Sequence, residues 1–340
     1  MSNFTELIDL ASERVGGSVM EANDEFFAPK ENLVKAGRPE WREGKYTERG
    51  KWMDGWETRR RREPGHDWCL IRLGFPGVVR GICVDTTHFK GNFPEACSIE
   101  ACDAEGHPDA REIIKGIAPW TEILPKSILK GDGENLFPID HDGRVSHVRL
   151  HIYPDGGVAR LRLYGHAVPD WARLARAGGD ADLAAAENGG LVVAASDSFF
   201  GSRHNLILPG RGRDMSDGWE TRRRRGPGHD WVVVQLGRTG VVRRVEVDTI
   251  HFKGNAPGAC AIEVVQAPGA VPDAVTDPAR AWKSLLPKTK LQPHALHGFE
   301  EEVLSAGEAT HARLNIYPDG GVSRLRLWGR PSGLERLGGR

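Results

Sequence analysis

The chain has 340 residues, 39% of them apolar and 27% charged, a balance that fits soluble folded domains and excludes a disordered chain. Lys and Arg number 46 against 47 Asp and Glu, a formal net charge of −1, so no global field draws in nucleic acid or an anionic membrane. No run approaches the ~18 apolar residues of a membrane-spanning helix, and the acid-bearing N-terminus lacks the apolar stretch of a secretory signal.

Residues 1–17 predict a short helix. Asn3 or Thr5 can cap it, Leu7, Leu10 and Ala11 share a face, and Gly16-Gly17 stops it. The segment from Asp9 to Phe27 is written again from Asp182 to Phe200, so the chain is an internal repeat and the predicted helix belongs to it. Between Phe27 and Asp54 the first copy is ten residues longer than the second, in a Pro/Gly/charge-rich stretch that reads as a surface loop. A loop present in one half only can cover a site in that half.

From Asp54 the sequence reads DGWETRRRREPGHDW, then strand pattern, then VDTTHFKGN to Asn92. From Asp217 it reads DGWETRRRRGPGHDW, more strand, then VDTIHFKGN to Asn255. Residues 68–74 and 231–237 are short apolar runs ended by Gly. Residues 78–89 and 241–252 form a further strand with period-2 alternation, and 98–102 and 261–267 another. Each copy closes on IYPDGGVxRLRLxG, which predicts a hairpin over 148–165 and 312–329 around a Pro-Asp-Gly-Gly turn. Its alternation points Leu314, Ile316, Leu325 and Leu327 inward, and Arg313, Asn315, Tyr317, Arg324, Arg326 and Trp328 outward. Residues 166–181 read as a linker with a helical turn, and 331–340 as a tail. The expected domains are therefore 1–165 and 182–330. Many short strands and Gly/Pro turns argue an all-β fold: an antiparallel β-sandwich in each half, with short helices.

Chemistry-bearing residues repeat in register. His88, Lys90 and Asn92, like His251, Lys253 and Asn255, alternate, so on a strand they share one face that cannot be apolar core. His suits a proton shuttle or metal ligand, Lys a fixed positive charge, Asn an amide donor and acceptor. Asp85 and Asp248 lie at the start of each row. Glu57 and Glu220 are candidates for general base or for accepting from substrate N–H groups. Of the arginine runs 59–62 and 222–225, one or two side chains can face a pocket as carboxylate clamps, Arg61 and Arg224 being the candidates; the alternative is solvated or ion-paired arginines. His66-Asp67 and His229-Asp230 read as turn chemistry with Trp68 and Trp231 as anchors. The five cysteines do not repeat with the domains, so they read as reduced thiols in a cytoplasm rather than as a disulfide or zinc framework. No GxSxG, HExxH, Walker loop or GxGxxG is present, which disfavours the enzyme classes those motifs serve.

The motifs DGWETRRRR…GHDW, DTxHFKGN and IYPDGGVxRLRLxG, each present twice between Asp9 and Gly329, closely resemble the allantoicase (allantoate amidinohydrolase) family. The resemblance implies two jelly-roll-like, galactose-binding-like β-sandwiches, a homo-oligomer, and hydrolysis of allantoate to ureidoglycolate and urea in purine catabolism. It suits the substrate: Arg61, Lys90, Arg224 or Lys253 for the carboxylate, Glu57, Asp85, Asn92 or their partners for the ureido groups, and His88 or His251 for the proton. A divalent metal of the Mn or Zn type is compatible with Asp and His together, but no spacing compels one, and metal ligands stay unassigned. Jelly-roll modules also serve as non-catalytic binders of small polar ligands, which is the alternative function. Neither copy is singled out as the live site.

Overall fold

A computed structural model describes residues 3–333. The chain divides into two compact units, 1–168 and 169–340, with strands dominating each. Residues 334–340, most of the expected tail, lie outside the described residues, and Pro331 belongs to the last strand, Arg324–Pro331. The expected linker contains a helix, Trp171–Ala177, capped by Asp170, whose side chain accepts the Arg173 N–H.

Each unit is built on one long strand, Asp67–Asp85 in the first and Asp230–Asp248 in the second. The sequence suggests two strands here. They are continuous because the strand serves both layers of the sandwich. Its first part pairs with Val145–Tyr153 and Ser18–Ala22, its second with Arg160–Ala167 and Glu134–Pro138. The pairing with Val145–Tyr153 breaks register between Arg72 and Gly77, and at Gly74 a Cβ would lie 2.2 Å from the Val15 carbonyl oxygen; only glycine admits that approach. Sheet order in the first unit is Ile8–Asp9, Arg160–Ala167, Asp67–Asp85, Val145–Tyr153, Ala96–Cys102, Thr121–Ile128, and the second unit repeats it.

This order corrects the closing hairpin. The strands on either side of the Pro-Asp-Gly-Gly turn do not pair with each other; the long strand lies between them. The inward leucines are buried as expected, Leu314, Ile316, Leu325 and Leu327 all at 0% exposure. Arg324 is also buried, against its expected outward direction, because Asp217 lies beside it and its guanidinium donates to the Asp217 and Ser323 carbonyls. Asn315 is buried too, donating to Glu263. The predicted N-terminal helix is replaced by two single turns, Phe4–Glu6 and Glu13–Val15, around Ile8–Asp9. Pairing of Ile8–Asp9 with Tyr164–Gly165 extends the backbone there, and sheet hydrogen bonds outweigh a marginal short helix. Among the described residues no helix is long and apolar enough to cross a membrane.

Candidate active site

At the end of the long strand the chain turns, and the turn carries the polar row. Asp85 Oδ1 accepts the Thr87 N–H at 2.8 Å, and the Phe89 N–H donates to the Thr86 carbonyl at 2.9 Å. His88 is held at φ +72°, a left-handed conformation uncommon outside glycine and found at sites where surrounding structure over-determines it. Its N–H donates to Asp132 Oδ1 at 2.9 Å. Phe89 is fully buried, so its neighbours His88 and Lys90 point the other way. The shared face of His88, Lys90 and Asn92 is real, but a turn produces it, not the strand the alternation suggests. The second unit repeats the device, with His251 at φ +77° and Phe252 fully buried.

In the first unit His88, Lys90 and Asn92 line one side of a cavity of about 690 Å³, and Glu57 faces them. The Glu57 strand, Trp56–Glu57, is fixed by pairing to Gly157–Val158 and by the buried Trp56, whose indole donates to the Asp24 carbonyl at 2.8 Å. Burial pushes the Glu57 carboxyl above its ordinary range, and the amide of Asn92, donating to Oε1 at 2.7 Å, partly offsets this. His88 Nε2 lies 3.3 Å from the Pro39 carbonyl oxygen. A carbonyl only accepts, so Nε2 is the donor in this contact and Nδ1 is the nitrogen left for another partner. Lys90 sits 3.7 Å from Asp132 with most of its side chain exposed.

Other expected residues fall elsewhere. Arg61 does not line the cavity: Nη1 pairs with buried Asp67 at 2.6 Å and its N–H donates to Asp155 at 2.8 Å. Arg224 is tied in the same way to Asp230 and Asp319. In this structure these arginines are paired to turns and do not line the cavity. Asp85 is buried and spent on the turn. Asp248 accepts the Ile250 N–H and pairs with Arg211 at 3.3 Å. His66 bonds His151 at 2.9 Å and His229 bonds Asn315 at 3.1 Å, and neither His66 nor His151 lines the cavity. In the second unit Asn255 donates to Glu220 at 2.5 Å, and His251 Nε2 donates to the Gly212 carbonyl at 2.9 Å, while Lys253 is exposed. Among the described residues no three His, Cys, Asp or Glu side chains converge as a metal would need. The cavity offers one imidazole and one carboxylate, short of the three protein ligands of a catalytic zinc.

The rest of the lining was not legible by motif. Trp41, Lys51 and Met53 complete the cavity, the first two from the stretch that makes the first copy longer. That length difference, between flanks that otherwise match, is the signal that marks them. Also missed was the buried pair beneath, Arg160 and Asp54. Arg160 donates to Asp54 Oδ2 at 2.5 Å and to the Asp54 and Gly37 carbonyls.

The duplicated β-sandwich thus carries, in its first unit, a cavity lined by histidine, glutamate and lysine at the end of the long strand. The Allantoicase repeat model matches residues 8–168 and 181–332. A probable allantoicase of Pseudomonas aeruginosa is 49% identical, covering 96% of this chain and 97% of its own, and probable allantoicase 1 of Burkholderia mallei is 49% identical over 95% and 94%. The crystal structure of allantoicase from Saccharomyces cerevisiae superposes with a TM-score of 0.79 at 38% identity, covering 95% of this chain and 93% of that one. The chain belongs to the allantoicase family.

Proposed function

We infer that this chain hydrolyses allantoate, adding water and releasing urea and ureidoglycolate in purine catabolism. Full-length similarity to allantoicases carries the reaction and disfavours a non-catalytic binder. The convergence of Glu57, His88, Lys90 and Asn92 on one cavity supports the residue roles. Allantoate bears a carboxylate and two ureido groups on one carbon. Lys90 supplies positive charge for the carboxylate. Glu57, oriented by Asn92, accepts from a ureido N–H, and His88 moves a proton through Nδ1. Direct attack of water and loss of urea to an imine followed by hydration both use this set, since each needs one proton taken and one delivered to the departing urea nitrogen.

The described cysteines are all free and buried, and burial pushes Cys83, Cys97 and Cys260 up to about 12. Burial makes them poor nucleophiles, so the proposed reaction does not use them. The family resemblance supports a homo-oligomer, which sedimentation of the pure chain tests. The test of function is urea and ureidoglycolate release from allantoate by pure protein, with parallel arms containing a chelator or added Mn²⁺. Equimolar products are expected; folded protein that releases no urea in any arm refutes the reading.

A further inference from the structure

We propose that the insertion in the first unit makes that unit the working site, with Lys51 as a second cation for the substrate carboxylate and Trp41 as the wall that holds His88. The proposal rests on the allantoate reading above. Pro39 and Gly212 are equivalent, since each offers its carbonyl to the site histidine. Asp54 and Asp217 are equivalent as partners of the buried arginine. Between these fixed points the first unit has residues 40–53 and the second only 213–216.

The base of this stretch is anchored as in the second unit, where the Arg213 N–H donates to Asp217 Oδ2 at 3.0 Å, but the residues beyond it are ordered by contacts of their own. They fold as a hairpin, with Tyr46 opposite Lys51 and Thr47 opposite Gly50. Its base is held by the Glu40 N–H, which donates to Asp54 Oδ2 at 3.0 Å. Its tip is held by Arg49, which donates to the Phe26 carbonyl at 3.0 Å. Lys51 Nζ lies 4.0 Å from the Trp41 ring centroid, and the Trp41 ring lies 5.6 Å from the His88 ring. Lys51, Trp41 and His88 therefore form a continuous run of side chains in the lining of the cavity that also holds Glu57. Among the described residues Lys51 has no carboxylate partner, whereas Lys90 already has Asp132. The free ammonium is the better match for an incoming carboxylate.

The second unit keeps the Glu220–Asn255 pair and the left-handed His251, so its chemistry is intact. Its cover is not. Phe200, the counterpart of the half-buried Phe27, is 59% exposed, and Ser216 replaces Met53. An uncovered site stays in high dielectric, where a single charge contact is weak and proton transfer competes with water.

Steady-state urea release by full-length variants tests this. Lys51→Met should raise KM about tenfold while kcat stays within about threefold, and Lys51→Arg should recover part of the loss. Trp41→Ala should lower kcat/KM, and Trp41→Phe should restore it. Glu57→Gln should cut kcat by about a hundredfold, and Glu220→Gln should leave it within about twofold. Comparable losses for Glu57→Gln and Glu220→Gln, or an unchanged KM in Lys51→Met, overturn the proposal. In both of those cases the wild-type chain still turns over allantoate. Failure of the underlying reading differs, because then the wild-type chain releases no urea.

Discussion

Arg160 is 1% exposed and Asp54 is 6% exposed, so replacing Arg160 by Ala leaves a buried carboxylate without its closest partner. Breaking a buried pair from one side costs about 3–5 kcal/mol. The lower end applies, because Lys35 Nζ and the Glu40 N–H, each 3.0 Å away, still serve Asp54. In guanidinium chloride, with a slope of roughly 2–6 kcal/mol per M, about 3 kcal/mol moves the midpoint by about 0.5–1.5 M. Burial alone would push the Asp54 carboxyl up, but Arg160, the Glu40 N–H and Lys35 together hold it below its ordinary value. A depressed folded value contributes stability above the unfolded pKa, about 3.9, and loses it as pH falls through the folded value. The gap between wild type and variant should therefore close below about pH 4. Arg160 also binds the Gly37 carbonyl at 3.0 Å, two residues before Pro39, so KM should rise too. Arg324→Ala removes the equivalent pair with Asp217 at 3.2 Å and should destabilise comparably while sparing turnover. Equal losses of kcat/KM in the two variants, or a midpoint unmoved by Arg160→Ala, would refute the reasoning.

Asn92→Ala removes the hydrogen bond that lowers the Glu57 carboxyl, so the acid limb of the kcat/KM–pH profile should move to higher pH; an unmoved limb would mean that an ionised Glu57 is not needed to accept from the ureido N–H. Burial lowers His147 and His311 to about 4. Between about pH 6.5 and 4 the unfolded chain binds protons the folded chain refuses, so stability should fall by about 1.4 kcal/mol per pH unit for each histidine. In denaturation series across that range His147→Asn should lower the slope by its own share, about 1.4 kcal/mol per pH unit. At Gly157 a Cβ would lie 2.0 Å from the Phe89 ring. Gly157→Ala should therefore cost about 1–3 kcal/mol by overpacking and lower turnover by displacing the turn between His88 and Lys90, both read from one melt and one urea assay.

The sequence by itself determined what local chemistry and repetition can specify. Period-2 alternation marked Leu314, Ile316, Leu325 and Leu327 as core, because successive side chains of any strand take opposite faces whatever it pairs with. Duplicated motifs marked two similar units and the polar set Glu57, His88, Lys90 and Asn92, because a site needs fixed residue types at fixed spacing. Pairing was not legible. The strands around the Pro-Asp-Gly-Gly turn are separated by the long strand, and this follows from contacts far along the chain. Nor was the fate of the charged side chains. Arg61 and Lys51 carry the same charge in similarly polar stretches of sequence, yet one is consumed by Asp67 and the other stands free over Trp41. Only the tertiary structure decides that, since an ion pair depends on which carboxylate the fold brings within about 4 Å, not on the residue's neighbours in sequence.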